Sequence, residues 1–310
     1  MEVMDNMNQH FNELRGIVGD SYISTRVPLK QYTSFRIGGP ADIIVFPPNI
    51  ELLKKVVSYL SQNQVTRLLI GNGTNLLVSD QGFRGVVVHT GKNLKTIQVQ
   101  EDEKCIYAQC GALLSAIAAA ALKNNLGGFE FASGIPGTLG GALFMNAGAY
   151  GSTMSDVAVS TTALDAQCNE VTVNGADHDF GYRSSCFRKN NLFILESKLQ
   201  LYSCDYDTIK EKMRDLNMKR KSSQPLEYPS AGSVFKRPVG YFAGKLIEDS
   251  GLKGCKKGGA CVSEKHAGFI INSGDATAQD VDELINHIIS EVYNRFSVKL
   301  EPEIIRIGEF

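Results

Sequence analysis

Ser133-Gly134-Ile135-Pro136-Gly137-Thr138-Leu139-Gly140-Gly141-Ala142-Leu143-Phe144-Met145-Asn146-Ala147-Gly148-Ala149-Tyr150-Gly151 carries six glycines in nineteen residues. A glycine in regular structure costs about 0.5–1 kcal/mol relative to alanine, so such a density needs a reason. Positive φ and close backbone approach are the two that only glycine satisfies cheaply. A second stretch, Gly71-Asn72-Gly73-Thr74-Asn75, follows the apolar run at residues 65–70. Two bare-backbone turns, each at the end of a predicted strand, suggest one extended ligand held at both ends. Asn72, Thr74, Asn75, Thr138 and Asn146 add neutral donors beside the free amides, which suits a pyrophosphate gripped without cationic side chains. Glycine clusters also mark ordinary turns, so an ordinary loop is the alternative reading for either stretch alone and a weaker one for the two together.

Outward from these stretches the chain reads as α+β with a mixed sheet. Residues 41–46 predict a strand, Pro47-Pro48 a break, and Asn49 the cap of a helix whose inner face is Leu52, Leu53, Val56, Val57 and Leu60. With the strand at 65–70 this forms a β-α-β unit. Further strands are expected at 86–89, 96–99, 105–109, 157–165, 170–173 and 192–201, with an alanine-rich helix at 113–122. A charged helix at 208–221 follows a domain boundary placed near Cys204. The last third predicts a helix at 241–250 and a strand at 267–272. A long helix then opens on a Thr277/Asp280 capping box, with Val281, Leu284, Ile285, Ile288, Ile289, Val292 and Phe296 facing the core. A strand over 299–307 closes the chain.

Composition narrows the function. The 310 residues are 43% hydrophobic, enough for two or three domains, and 32 basic against 33 acidic residues leave a formal charge of −1. No basic field exists to recruit nucleic acid or an anionic membrane, so small molecules are the expected partners. The acidic start, Met1-Glu2-Val3-Met4-Asp5, and a longest apolar run of only residues 112–122 predict a cytoplasmic protein. Seven cysteines without a C-x-x-C pair and five histidines never at i, i+4 spacing argue against disulfides and against a metal. Neither glycine stretch fits G-x-G-x-x-G or G-x-x-x-x-G-K-[ST], which disfavours a simple NAD fold or P-loop.

Three polar positions remain. Arg183, in Tyr182-Arg183-Ser184-Ser185-Cys186-Phe187-Arg188, has the planar, permanently charged fork that grips a carboxylate, although a surface ion pair is an equal reading. Ser233, in Tyr228-Pro229-Ser230-Ala231-Gly232-Ser233-Val234-Phe235-Lys236, follows a glycine in a tight turn. No adjacent His and Asp spacing makes it an acyl-transfer nucleophile, so if it acts it moves a proton. Glu303, in Glu301-Pro302-Glu303-Ile304-Ile305, enters the last strand, where most glutamates are simply solvated.

In this order the pieces resemble the UDP-N-acetylenolpyruvoylglucosamine reductases (UDP-N-acetylmuramate dehydrogenases), flavoenzymes of bacterial cell-wall precursor synthesis. Residues 33–41, 71–75, 133–151, 182–187, 228–238, 244–248 and 301–308 carry the likeness, beginning with Thr33-Ser34-Phe35-Arg36-Ile37-Gly38-Gly39-Pro40-Ala41. It implies a two-subdomain FAD-binding fold of the PCMH/vanillyl-alcohol-oxidase type with a separate C-terminal α+β substrate domain. Residues 1–90 would form the first FAD subdomain, joined by a C-terminal strand at 300–310, residues 91–204 the second, and 205–299 the substrate-binding domain.

The same resemblance implies that FAD lies between the first two regions and that NADPH reduces it and leaves. UDP-N-acetylglucosamine enolpyruvate then enters, taking hydride at C3 and a proton at C2. Gly71, Asn72, Gly73, Thr74, Asn75, Ser133, Gly134, Ile135, Pro136, Gly137, Thr138, Gly140, Gly141, Asn146, Gly148 and Gly151 match the cofactor-binding positions. Arg183 and Glu303 match the residues giving electrophilic help, the glutamic acid donating only if burial raises its pKa. Ser233 matches the proton donor to C2, and Arg220 a basic position on the substrate phosphates. The chain resembles the shorter subgroup without a tyrosine-bearing closure loop. Two other readings stand beside this one. An oxidase of the same flavin-fold superfamily often tethers its flavin through His or Cys, and residues 71–75 hold neither. A non-catalytic nucleotide-binding protein would not need Arg183, Ser233 and Glu303 together.

Overall fold

The computed structural model describes residues 2–310, with side chains described from residue 7 onward. The chain divides into two units: Met1–Thr25, Ile43–Asn72 and Gly85–Lys219 in one, Arg26–Asp42, Gly73–Arg84 and Arg220–Phe310 in the other. It crosses between them five times, once inside the glycine-rich stretch at residues 71–75, between Asn72 and Gly73. The strands Ile23–Pro28, Pro40–Val45 and Phe83–His89 each begin in one unit and end in the other.

In the first unit the helix Ile50–Gln62 starts where Asn49 Oδ1 accepts the Leu52 N–H at 2.9 Å, satisfying an amide that the helix itself leaves open. Its buried face is Leu53, Val56, Val57 and Leu60, each fully covered and each contributing roughly 1.5–3 kcal/mol of burial. The helix Glu2–Val18 packs against it, and His10 Nδ1 meets Tyr59 Oη at 2.8 Å. The strand Arg67–Ile70 then runs parallel to Phe83–His89, in a sheet ordered Ile23–Pro28, Pro40–Val45, Phe83–His89, Arg67–Ile70. A second, antiparallel sheet takes the order Glu170–Asn174, Ala158–Leu164, Phe193–Gln200, Cys105–Gln109, Ile97–Gln100. One continuous apolar core joins helix Leu114–Lys123, this sheet and helix Ile50–Gln62.

The second unit has its own core. Ser230–Ser233, Phe269–Asn272, Ala260–Val262 and Lys256–Lys257 form an antiparallel sheet covered by helix Ala278–Phe296. Phe35, Ile37 and Leu77 from the early segments pack into the same core, and Ile305–Ile307 pairs in parallel with Leu76–Val78. The expected capping box is present, with Thr277 Oγ1 accepting from Asp280 N and Asp280 Oδ2 from Thr277 N. Among the described residues no helix is long and apolar enough to cross a membrane.

Three local expectations change. The expected strand over 299–307 pairs as a strand only at Ile305–Ile307, because Pro302 offers no N–H and the Glu303 N–H goes to Val234 O instead. Residues 139–144 of the glycine-rich stretch form a short helix. Phe296, the last residue of its helix, is 37% exposed and does not belong to the core.

Candidate active site

In the first unit the two glycine-rich stretches touch. A side chain on Gly71 would collide with Thr138 Oγ1, and Asn72 Nδ2 donates to Pro136 O at 3.1 Å. Thr138, expected as a neutral donor, is 2% exposed and lies against Gly71. The glycines separate by cause. A β-carbon on Gly140 would stand 3.0 Å from Cys110 Cβ, and one on Gly148 would collide with Ser152 and Thr153, so packing disfavours side chains there. Gly151 has φ +89 and needs glycine for its backbone. Gly141 is exposed, and among the described residues, its chain neighbours and its own helix backbone aside, no atom comes closer than 3.7 Å to where its β-carbon would stand. Nothing in the protein itself requires glycine at 141, despite its penalty inside a helix, which fits a surface kept bare for a closely bound ligand.

The stretch ends against the loop carrying Arg183. Asn146, 6% exposed and at φ +43, accepts the Ser155 N–H at 3.0 Å and donates to Gly181 O at 3.1 Å. Gly181 and Ser184 form an isolated bridge around Arg183, which is half-buried at φ +54. Its carbonyl accepts from Arg188 Nη1 at 3.1 Å, and its guanidinium stands 5.2 Å from the Tyr182 ring centre. Ser133 Oγ accepts from Asn217 Nδ2 at 3.4 Å. Nearby Glu130, 3% exposed, accepts from Gly128 N and from Lys212 Nζ.

The backbone segments that carry Ser233 and Glu303 meet in the second unit. With Gly232 at φ +77, a register irregularity falls between Ser230 and Ser233. The next residue, Val234, accepts the Glu303 N–H at 2.7 Å, and Phe235 bridges Pro302. On the other side of Glu303, Asn75 Nδ2 donates to its carbonyl at 3.3 Å and Asn75 O accepts the Ile305 N–H at 3.0 Å. Gly73, at φ +57, abuts the Tyr32 carbonyl, and its own carbonyl accepts the Ser34 N–H at 3.2 Å. Arg220 sits half-buried in the last turn of helix Tyr206–Ser223.

Sequence reasoning did not reach His266. Its Nδ1 accepts the Gly268 N–H at 3.1 Å, which fixes the tautomer, and burial holds the imidazole below its usual pKa. A β-carbon on Gly268 would stand 3.0 Å from His266 Cε1 and 3.4 Å from Ser233 Oγ, so ring and hydroxyl flank one bare peptide. No local spacing signals this, because the strand pairing that aligns residue 233 with residue 269 creates it. No group of three or more His, Cys, Asp or Glu among the described residues could hold a metal ion.

Residues 224–307 match the model of the UDP-N-acetylenolpyruvoylglucosamine reductase C-terminal domain, and residues 41–174 that of an FAD binding domain. The UDP-N-acetylenolpyruvoylglucosamine reductase of Caldanaerobacter subterraneus subsp. tengcongensis is 49% identical over 96% of this chain and 98% of its own. The chain belongs to the UDP-N-acetylenolpyruvoylglucosamine reductases. The crystal structure of the reductase from Thermus caldophilus superposes with a TM-score of 0.79 at 31% identity, covering 92% of this chain and 99% of that one. Phl p 4.0202, a glucose dehydrogenase, shares the fold alone, with a TM-score of 0.50 at 15% identity over 63% of this chain and 44% of its own. The reductase is thus α+β, an FAD-binding fold followed by a separate C-terminal domain. It is an FAD-dependent oxidoreductase that uses NADPH to reduce enolpyruvyl-UDP-N-acetylglucosamine in peptidoglycan synthesis.

Proposed function

We propose that the reductase carries out the chemistry on its substrate with Arg183, Ser233 and Glu303, and holds FAD on the amides of residues 71–75 and 133–151. Bound FAD supplies the two-electron relay from NADPH to the enolpyruvyl group. An enol ether conjugated to a carboxylate resists reduction, because added electron density falls on a group already anionic. Electrophilic assistance is therefore the protein's main task. Arg183 answers it with a planar fork matched to the carboxylate, and Glu303 with a carboxyl group that in its acid form donates toward the same developing charge. Ser233 holds the proton that C2 receives. An alcohol is too weak an acid for most general-acid work, but a carbanion or aci-carboxylate is basic enough to take its proton.

The observation that carries this reading is the 2.7 Å hydrogen bond from Glu303 N to Val234 O, which fastens the acid beside the strand residue that follows Ser233. Arg220 is assigned to the substrate phosphates, where a guanidinium binds well. The reaction is assigned to the cytoplasm, a reducing compartment that suits seven cysteines all present as free thiols.

Stopped-flow measurement of the two half-reactions tests the assignment. Ser233→Ala should leave NADPH-driven flavin bleaching near the wild-type rate and slow substrate-dependent reoxidation by about 10²–10³, the usual loss for one positioned catalytic group. Equal slowing of both halves would mean that Ser233 only holds structure.

A further inference from the structure

Three asparagines of the glycine-rich stretches donate their side-chain amides to carbonyls of other segments. Two of those carbonyls lie on or beside a residue with a proposed catalytic role. Asn75 donates to the carbonyl of Glu303 itself, and Asn146 to Gly181, at the base of the loop that carries Arg183. We propose that Asn75 and Asn146 are positioning residues, each fixing the backbone from which one electrophilic side chain, Glu303 or Arg183, projects. The inference rests on the roles given to Glu303 and Arg183 above.

The Glu303 peptide has two independent anchors. Its N–H is taken by Val234 O and its C=O by Asn75 Nδ2, so the backbone from which the carboxyl projects is held on both sides. Asn75 also accepts the Ile305 N–H, which ties the strand beyond Glu303 to the same residue. A leucine at 75 has nearly the shape of asparagine but would leave the half-buried Glu303 carbonyl without that donor.

Asn146 has a matching position. Its φ of +43 lies in the left-handed region, which asparagine tolerates better than most residues. Both ends of its carboxamide are engaged, with Ser155 N–H and Gly181 C=O. Arg183 itself sits at φ +54, a sparsely populated state for a long side chain that persists only where its surroundings impose it. Reciprocal bonds between Gly181 and Ser184 close the turn around Arg183, and Asn146 secures that turn to the glycine-rich stretch. A carboxamide suits both tasks because it donates without adding charge beside the anion that the reaction builds.

The test uses the holoenzyme in stopped flow, with FAD affinity of the apoprotein read separately by flavin fluorescence. Asn75→Leu and Asn146→Asp, the latter keeping the Ser155 acceptor and left-handed tolerance, should slow reoxidation about 10- to 100-fold more than bleaching, the scale of a small misplacement of a catalytic group. FAD affinity should fall by a smaller factor than reoxidation. In a Glu303→Gln background, Asn75→Leu should add less than about twofold, since the acid it positions is already gone. Fully additive losses would overturn the inference, as would an affinity loss equal to or larger than the rate loss, which would make these asparagines cofactor ligands. If Asn75→Leu does not fold, Asn75→Ser carries the same cycle. Glu303→Gln reoxidising at the wild-type rate removes Glu303 from the mechanism and the inference with it. A slow Glu303→Gln beside an Asn75→Leu of normal reoxidation rate overturns the inference alone.

Discussion

Arg183 combines a strained backbone with a fixed loop, and both bear on how it responds to substitution. Arg183→Lys keeps the charge and loses the flat bidentate fork, so turnover should fall by about 10² or more while the purified protein stays yellow. Near-normal turnover would remove Arg183 from the chemistry. His89 gives a different handle. Burial lowers its pKa from an ordinary 6.5 to about 4. The unfolded chain therefore binds a proton that the folded chain refuses. The associated stability is complete above pH 6.5 and is lost as pH falls toward 4, reaching about 3 kcal/mol. Urea unfolding at pH 7 and pH 4.5 should show wild type losing more stability than His89→Gln, and equal losses would contradict the assignment. At this scale the residues alone leave Arg183, Ser233 and Glu303 open to ordinary structural readings, and only the family resemblance singles them out as catalytic candidates. The asparagine bridges were not legible in sequence, since the bond from Asn75 to Glu303 spans 228 residues and depends on which strands pair.

Among the elements, helix Ala278–Phe296 has an N-terminus held twice over. Thr277 caps the Asp280 N–H, and Asp80 accepts from Ala278 N at 2.8 Å and Gln279 N at 3.1 Å. A carboxylate at the positive end of a helix adds a favourable dipole interaction. Thr277→Ala and Asp80→Ala should each lower unfolding free energy by about 1 kcal/mol, measured by denaturant titration, and a change within error for either would show the cap idle. The Thr277 cap follows from local spacing, which is why the sequence reading found it. The Asp80 cap comes from a segment nearly two hundred residues away and left no local signal. Helix Leu139–Phe144 was missed for the opposite reason: Gly140 and Gly141 argue against a helix by propensity, and long-range bonds from Leu139 N to Ala112 O and Gly140 N to Cys110 O impose it.

At the scale of the whole molecule, the two cores are separate but the chain that builds them is interleaved. The matched C-terminal domain, residues 224–307, lacks the partners that complete it: Phe35, Ile37 and Leu77 in its core, and the strand Leu76–Val78 alongside Ile305–Ile307. A fragment of residues 220–310 should therefore show little cooperative thermal unfolding by circular dichroism, and a sharp transition in that fragment would refute this dependence. The same interleaving sets an order of events during synthesis. Leu76 emerges from the ribosome long before Ile305, and at roughly 5–20 residues per second the wait lasts on the order of ten to fifty seconds. Throughout that interval a nascent strand with an apolar leucine at its centre lacks the strand it pairs with, an open edge of the kind that templates wrong pairings.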